Sequence, residues 1–246
     1  MRQYHLGVDK GDVAPRVMLV GDPDRAERVA RHFEKRHGAW RHREFVTITG
    51  TYRGLPMTVT GTGIGPDNTE IAVIELAQCR KDLTLIRVGT CGGLQRDTRL
   101  GDLVVSTASV RLEATTRFFA PEGYPAVADL DVTRALVDAC RETGARHHVG
   151  ITASAPGFYG AQSRRVGRFE PLRPDLPAEM ARLGALNFEM ETSALFVLAA
   201  LGRLRAGAVT VVYAERRSGR AIRPRDRPAA EARAIAVGLR AFERLG

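Results

Sequence analysis

The sequence contains almost no lysine and is also poor in aromatic residues. Only Lys10, Lys35 and Lys81 are lysines, so 34 of the 37 basic residues are arginines, and with 28 Asp and Glu the formal net charge is +9. Arginine presents charged, planar donors to oxyanions, so this balance first suggests nucleic acid or phosphate. Nucleic-acid binding also needs aromatic side chains among the basic ones. Aromatic residues make up 6% of the chain and none lies between Tyr213 and Phe242, so we expect no nucleic-acid partner.

Cysteines and long apolar runs are scarce as well. Cys79, Cys91 and Cys140 lack the spacing of a disulfide framework or a metal site, which predicts three reduced thiols. The chain has no run of about 18 apolar residues, and residues 1–5 lack the apolar core of a signal peptide. We therefore expect a cytoplasmic protein that does not contact a membrane. With 44% hydrophobic and 26% charged residues, the composition is typical of a globular protein, and we expect one domain spanning residues 1–246.

Short apolar runs alternate with amphipathic stretches along the chain. This alternation of strand-like and helix-like patterns predicts an α/β fold. Strands are predicted over residues 17–20, 45–49, 57–60, 83–88, 102–107, 149–154 and 208–212. Helices are predicted over residues 24–35 with Asp24 as the N-cap, around residues 71–76, and over residues 131–143, 190–201 and 227–245. Residues 164–177 hold three prolines and predict a long loop, a feature that is often functional.

Two glycine-containing loops follow predicted strands, which is where open α/β sheets bind ligands. The segment Gly21-Asp22-Pro23-Asp24-Arg25 opens a helix, so it is either an anion site or a plain strand–helix turn. Arg87 lies at the end of an apolar strand, just before Gly89. A buried guanidinium needs a partner, so Arg87 faces either a ligand anion or a carboxylate. Neither loop, nor the glycine-rich segment of residues 61–65, has the spacing of a dinucleotide or nucleoside-triphosphate fingerprint.

Two carboxylates flank Met190 at the start of a predicted apolar helix. On an extended segment, Glu189 and Glu191 share a face because they are two residues apart. Paired carboxylates can accept hydrogen bonds from the vicinal hydroxyls of a sugar. The alternative is that their charges complement the dipole of the helix. His147 and His148 are interpreted as a pair at a strand edge rather than as metal ligands.

These motifs, with others in the same order, resemble one family, the nucleoside phosphorylases of the purine/uridine phosphorylase superfamily. The similarity runs over nearly the whole chain. The motifs are HLG (5–7), GDPDR (21–25), HREF (42–45), TGIG (62–65), RVGT (87–90), TASVRL (107–112), FAP (119–121), PAVAD (125–129), HVGITAS (148–154), FY (158–159), NFEME (187–191) and RAG (205–207). The resemblance implies a single α/β domain whose central mixed sheet is distorted, barrel-like and flanked by helices. It also implies reversible phosphorolysis of a nucleoside, with inorganic phosphate as co-substrate and no required cofactor.

The resemblance further implies three subsites and a shared active site. Phosphate would be held by Gly21, Arg25, Arg43, Arg87 and Thr90. Ribose would be held by Thr90, Glu189, Met190 and Glu191, and by His5 from a neighbouring subunit. The base would be held by Phe158, Gln162, Arg164, Tyr213 and Ala214, and the catalytic group would be Arg164, Gln162, Arg87 and Arg216. A site completed by a neighbour implies a homo-oligomer with a dimer as its minimal unit, and we expect a hexamer.

The pattern Phe-x3-Gln-x-Arg at Phe158, Gln162 and Arg164 matches the pyrimidine-specific members, so uridine is the expected nucleoside. A side-chain amide donates and accepts at once, which suits the imide edge of uracil. The alternative is a purine or broad-specificity phosphorylase. Tyr213-Ala214 replaces the usual aliphatic lining, and Glu215 stands where an asparagine is usual, so that it could imitate the acid of purine-specific members. A hydrolytic nucleosidase is a third reading, and the phosphate-binding arginines argue against it.

A monovalent cation is the last expectation from the resemblance. In some relatives a cation lies between subunits, on residues that match Glu44, Ile64 and Asn68 here. The asparagine keeps a carbonyl oxygen that can bind a cation. The sequence therefore implies a possible K⁺ site at a subunit interface.

Overall fold

Within the described residues the strands form one mixed sheet, flanked by helices. The computed structural model describes residues 2–245. The strands are β1 (Arg16–Val20), β2 (Lys35–His42), β3 (Phe45–Tyr52), β4 (Leu55–Gly61), β5 (Thr84–Gly93), β6 (Leu103–Arg111), β7 (Ala126–Val127), β8 (His147–Ser154), β9 (Asn187–Glu189) and β10 (Arg205–Glu215). The α-helices are α1 (Pro23–Ala30), α2 (Pro66–Cys79), α3 (Leu130–Glu142), α4 (Leu176–Arg182), α5 (Thr192–Leu201) and α6 (Arg227–Arg244). The predicted α/β class is confirmed.

Part of the sheet closes on itself. β10 pairs in parallel with β5 and antiparallel with β6. β6 pairs with β8, and the short β9 bridges β8 and β5. These five strands form the distorted barrel that the resemblance implies, and β1, β4, β3 and β2 continue the sheet outward from β5.

Helices pack on both sides of the sheet because their apolar faces match its apolar strands. Residues of α1, α3 and α6 share one core cluster with β1, β5 and β10. Residues of α2 and α5 share a second cluster with the other faces of these strands. The sequence of α5 is apolar on nearly every side, which suits a helix buried on all sides. Among the described residues no helix is long and apolar enough to cross a membrane.

The first helix is shorter than predicted and is capped by a different residue. α1 ends at Ala30, whereas the sequence pattern predicted a helix to residue 35. The N-cap is Asp22 rather than Asp24, because the Asp22 carboxylate accepts a hydrogen bond from the backbone N–H of Asp24 at 2.9 Å. Pro23 then occupies the first helical position, where its missing N–H costs nothing. The cap fixes the direction in which this helix leaves β1.

The polar strand β2 was not predicted, and the predicted loop ends early. β2 is mostly exposed and pairs with β3 only, so it has none of the apolar alternation by which strands are recognised. Residues 164–175 are irregular as predicted, apart from one bridge between Val166 and Phe169. α4 then begins at Leu176, inside the predicted loop. α5 begins at Thr192 rather than residue 190, because Glu189 belongs to β9.

Candidate active site

A cavity of about 740 Å³ opens at the carboxyl ends of β1, β5 and β10, and its volume is typical of small-molecule sites. We call it the central cavity. Its lining consists of Gly21, Asp22, Pro23, Arg25, Glu44, Gly63, Ile64, Arg87, Thr90, Cys91, Gly92, Phe158, Gln162, Arg164, Phe188, Glu189, Met190, Glu191, Tyr213, Ala214, Ala221 and Arg227. Of the predicted site residues, only His5, Arg43, Asn68 and Arg216 are outside this lining.

A buried ion cluster forms one wall of the central cavity. The Arg87 guanidinium donates from Nε to the Glu189 carboxylate at 3.2 Å and from Nη2 to the Glu191 carboxylate. Of the two partners left open for Arg87, the structure places a pair of carboxylates beside it. One guanidinium thus faces two carboxyl groups in a buried setting.

The two carboxylates have different surroundings. Glu189 ends β9, where it accepts hydrogen bonds from the backbone N–H of Thr192 at 2.9 Å and from the Ser154 hydroxyl. Glu189 therefore stabilises the first turn of α5, as expected if its charge complements the dipole of that helix. Glu191 accepts from the backbone N–H of Gly65 at 2.8 Å. Burial raises the pKa of Glu191 above its ordinary value of 4.5, Arg87 opposes this rise, and the charge of Glu189 adds to it.

Gly21 and Arg25 bring backbone and guanidinium groups to one end of the central cavity. Arg25 is buried on α1, and its Nε lies 2.9 Å from the Glu231 carboxylate of α6. Its Nη1 donates to the carbonyl oxygen of Val88 at 3.4 Å. A Cβ on Gly21 would lie 3.2 Å from the carbonyl oxygen of Gly63, so this loop approaches the next one closely. Sequence reasoning missed Glu231, which is more than 200 positions away and carries no local signal.

Arg43 and His5 lie together outside the central cavity of their own chain. Arg43 is exposed, and its guanidinium donates to the Tyr4 hydroxyl at 3.2 Å and stacks on that ring. His5 is adjacent to Tyr4, and its Nδ1 lies 2.7 Å from the Glu75 carboxylate. The structure therefore does not group Arg43 with Arg25 and Arg87 within one chain, although the sequence analysis placed the three together.

The opposite end of the central cavity carries the Phe, Gln and Arg of the predicted base subsite. The Arg164 guanidinium stacks on the Phe158 ring, with 4.1 Å from Cζ to the ring centroid. Gln162 is buried, and within the described residues its side-chain amide has no protein hydrogen-bond partner. That amide is consequently available to a ligand. Tyr213 and Ala214 of β10 line the same end.

Arg216 lies behind this subsite rather than in its lining. Its Nη2 donates to the backbone carbonyl oxygen of Gln162 at 2.5 Å, which holds the loop that carries the amide. Burial, together with the charge of Arg164, lowers the pKa of Arg216 to about 10, so the group stays charged at neutral pH. Gly92 makes room for it, because a Cβ there would lie 3.0 Å from the Arg216 Cδ.

Glu215 is not placed to act as an acid on a bound base, which corrects the possibility raised by the sequence. It does not line the central cavity. Its carboxylate accepts from the Ser218 hydroxyl and from Arg220, both at 2.7 Å. These hydrogen bonds lower its pKa, which keeps it ionised and without a proton to donate.

Cys91, by contrast, does line the cavity. Burial raises the pKa of the Cys91 thiol to about 12, so the sulfur is a packing group and a poor nucleophile at neutral pH.

The residues predicted to bind a cation surround Gly63. A Cβ on Gly63 would lie 2.5 Å from the Asn68 amide nitrogen and 3.6 Å from the Glu44 Cγ. Glu44 and the largely exposed Ile64 line the mouth of the central cavity. Among the described residues there is no cluster of three or more His, Cys, Asp or Glu side chains that could hold a metal ion.

The sheet and the cavity define an α/β protein with a ligand site at its strand ends, lined by both arginines and carboxylates. The chain belongs to the phosphorylase superfamily, whose family model matches residues 15–242. The resemblance seen in the sequence is thereby confirmed.

The curated relatives of this chain include uridine phosphorylases and a guanosine phosphorylase. The uridine phosphorylase of Thermococcus kodakarensis is 44% identical over 216 residues, which cover 87% of this chain and 78% of that protein. The uridine phosphorylase of Escherichia coli is 39% identical over 247 residues, covering 98% and 97% of the two chains. A guanosine phosphorylase of Halorubrum lacusprofundi is 34% identical over 211 residues, covering 86% and 83%.

Proposed function

We propose that this protein catalyses reversible phosphorolysis of a pyrimidine nucleoside, with uridine and phosphate giving uracil and ribose 1-phosphate. The observation that carries the proposal is the meeting of Phe158, Gln162 and Arg164 with Arg25 and Arg87 in one cavity. One end offers an amide and a guanidinium to a base, and the other offers cationic groups to phosphate. The uridine phosphorylases among the relatives support the same reaction.

The reaction needs two substrates held in line and no cofactor. The glycosidic C1′–N bond lengthens first, its electron pair goes to the base, and positive charge develops on the ribose. A phosphate oxygen on the opposite face then forms the new C1′–O bond, which inverts the configuration at C1′. Holding both substrates in one site makes the attack effectively unimolecular.

The base end stabilises the negative charge that the departing uracil acquires. The Gln162 amide can donate to a uracil carbonyl and accept from its N–H. The partly buried Arg164 guanidinium is held by stacking on the Phe158 ring, which makes it a pre-aimed donor for the developing charge. Arg216 acts as a positioning residue, because it contacts the Gln162 backbone rather than the cavity.

The carboxylates of Glu189 and Glu191, which line one wall of the central cavity, form the proposed ribose subsite. Glu191 keeps acceptor capacity beside Met190, where two sugar hydroxyls could bind, and Glu189 holds the turn. Thr90 lies in the same lining and can bond either the sugar or the phosphate.

The active unit in this proposal is a homodimer that forms part of a hexamer. His5 is proposed to enter the active site of the neighbouring subunit. Arg43 would enter the same site, because His5 and Arg43 both contact Tyr4. Phosphate would then be bound by Arg25 and Arg87 of one subunit and by Arg43 of the next. The cation proposal, K⁺ on Glu44, Ile64 and Asn68 at the same interface, and a cytoplasmic location complete this assignment.

A substrate panel tests the reaction. Purified protein is incubated with uridine, thymidine, inosine or adenosine, each with and without phosphate, and base release is followed by ultraviolet absorbance. We expect phosphate-dependent release of uracil and little turnover of the purines. Preferential cleavage of inosine would instead support the purine alternative, which one relative represents. Release without phosphate would identify a hydrolase.

A further inference from the structure

A second cavity of about 490 Å³ lies on the other side of Arg216 from the central cavity. We call it the outer cavity. It is open to solvent and is bordered by residues 94–95 just after β5, by α4 and by the turn that follows β10. None of the subsites of the proposed reaction uses this space, although Arg216 borders it directly.

The outer cavity collects positive charge that has no counter-charge. Arg182, Arg216 and Arg217 line it, and within residues 2–245 none of the three lies within 4.0 Å of a carboxylate oxygen. The nearest acidic residues along these segments already form ion pairs with other arginines. Glu179 pairs with Arg173 at 2.5 Å, and Glu215 pairs with Arg220 at 2.7 Å.

One of these guanidinium groups is also short of hydrogen bonds. The Nε of Arg216 is buried, and it has no hydrogen-bond partner among the described residues. An unpaired buried donor is unfavourable. An anion in the outer cavity would also offset the repulsion between Arg216 and Arg164.

Apart from Gln95, the remaining lining is apolar. Leu94, Pro177, Ala178 and Ala181 form the wall. The Gln95 amide donates to the carbonyl oxygens of Ala181 at 2.9 Å and Ala185 at 2.7 Å, which fastens the end of α4 to β5. The cavity is thus present before any ligand arrives, and its volume exceeds what a bare phosphate ion needs.

We propose that the outer cavity binds an organic phosphate monoester, whose anionic group meets Arg182, Arg216 and Arg217 while its apolar body lies on Leu94, Pro177 and Ala181. A monoester carries a charge of about −1.5 to −2 at neutral pH. Three guanidiniums complement this charge better than that of a carboxylate. The site is separate from the nucleoside and phosphate subsites of the proposed function.

Calorimetric titration with phenyl phosphate tests the site. The protein is first saturated with inorganic phosphate and uracil, which fill the central cavity if the proposed function holds. We expect one phenyl phosphate to bind per chain with a dissociation constant below about 1 mM. Benzoate should bind more weakly, and neutral benzyl alcohol should not bind.

Two double variants locate the binding. R182Q/R217Q removes two guanidiniums that take no part in the proposed reaction, and it should weaken phenyl phosphate binding at least tenfold. R31Q/R203Q removes two exposed arginines that line neither cavity, and it should bind phenyl phosphate as the unmodified protein does. Equal affinity in the two variants, or no binding at about 10 mM, overturns the proposal. Because the two variants report phenyl phosphate binding and not catalysis, their result is independent of the uridine reaction.

Discussion

At the scale of single residues, the cluster of Arg87, Glu189 and Glu191 dominates the electrostatics of the site. All three side chains are almost fully buried. Removing one partner of such a cluster leaves the others desolvated without compensation, which is strongly destabilising. The cluster therefore ties the stability of the fold to the same groups that the proposed reaction uses.

Arg87→Ala is expected to lower the free energy of unfolding by about 3–5 kcal/mol. The loss should grow with pH. Arg87 holds down the pKa of Glu191, so that pKa should rise further in the variant. A carboxyl whose folded-state pKa is raised contributes stability that is present below its ordinary value of 4.5 and is lost as the pH rises through the raised pKa.

Urea unfolding at pH 5 and pH 8, at one protein concentration, measures this effect. The deficit of Arg87→Ala against the unmodified protein should be larger at pH 8. Arg165→Ala is the matched control, because Arg165 is exposed and pairs only with Glu170 at the surface. Its stability should change little at either pH. An equal deficit at both pH values for Arg87→Ala would contradict the role given to Glu191.

Several of these residues could be found from the sequence because they break a local pattern. Arg87 ends an otherwise apolar strand, and two carboxylates interrupt the start of an apolar helix. Glu231 and Gly92 break no such pattern. Their importance comes from contacts with Arg25 and Arg216, which are distant in sequence and meet them only in the folded chain.

At the scale of elements, the proposed phosphate subsite depends on how closely α1 approaches β4. Gly61 ends β4, and a Cβ there would lie 2.9 Å from the Cα of Pro23, at the start of α1. Backbone cannot yield as a flexible side chain can, so the helix has to shift. Arg25 lies on that first turn and would move with it.

Gly61→Ala is consequently expected to cost roughly 1–3 kcal/mol of unfolding free energy and to raise the KM for phosphate more than the KM for uridine. Gly11→Ala is the control, because a Cβ on Gly11 would meet no atom within 4 Å. Steady-state kinetics with each substrate varied in turn, together with thermal unfolding, checks both expectations. A phosphate KM equal to that of the control variant would disprove this dependence.

Elements with an apolar period were predictable, and those without one were not. The strands that became β1, β5 and β10 are buried and apolar, so hydrophobicity marks them. β2 is polar and exposed, and its pairing with β3 depends on tertiary context. A barrel-like sheet was implied by resemblance to a family, but the closure of that barrel by β10 was not predicted, because no local property of residues 205–215 specifies two partners.

At the scale of the whole molecule, the proposed site is divided between subunits. Arg164 lines the cavity of its own chain, whereas Arg43 lies on a separate surface beside Tyr4. Arg164→Ala and Arg43→Ala are each expected to lower activity about 10²-fold, the first through poorer departure of the base and the second through loss of phosphate binding.

Mixing the two variants under conditions that exchange subunits should restore activity. A mixed dimer contains one site with both changes and one site with neither. Random assortment therefore predicts recovery to about a quarter of unmodified activity. A mixture no more active than the separate variants would show that Arg43 serves its own chain or no site at all.

The positive charge of the chain is concentrated in one segment. Residues 216–227 hold six arginines and one aspartate, a net charge of +5 out of +9. Arg220 pairs with Glu215, just before that segment, and Arg223 pairs with Asp226 within it. Arg216 and Arg217 face the outer cavity, so the excess charge is local.

The closure of the distorted barrel by β10 has a consequence for folding during translation. Translation delivers β5 and β6 long before residues 205–215, so the nascent chain on the ribosome exposes two unpaired strand edges that the finished protein hides. Exposed edges invite pairing with other chains. A premature stop codon before residue 205 would therefore yield an aggregation-prone product rather than a weak enzyme, because the strand that seals the barrel also supplies Tyr213 and Ala214 to the cavity.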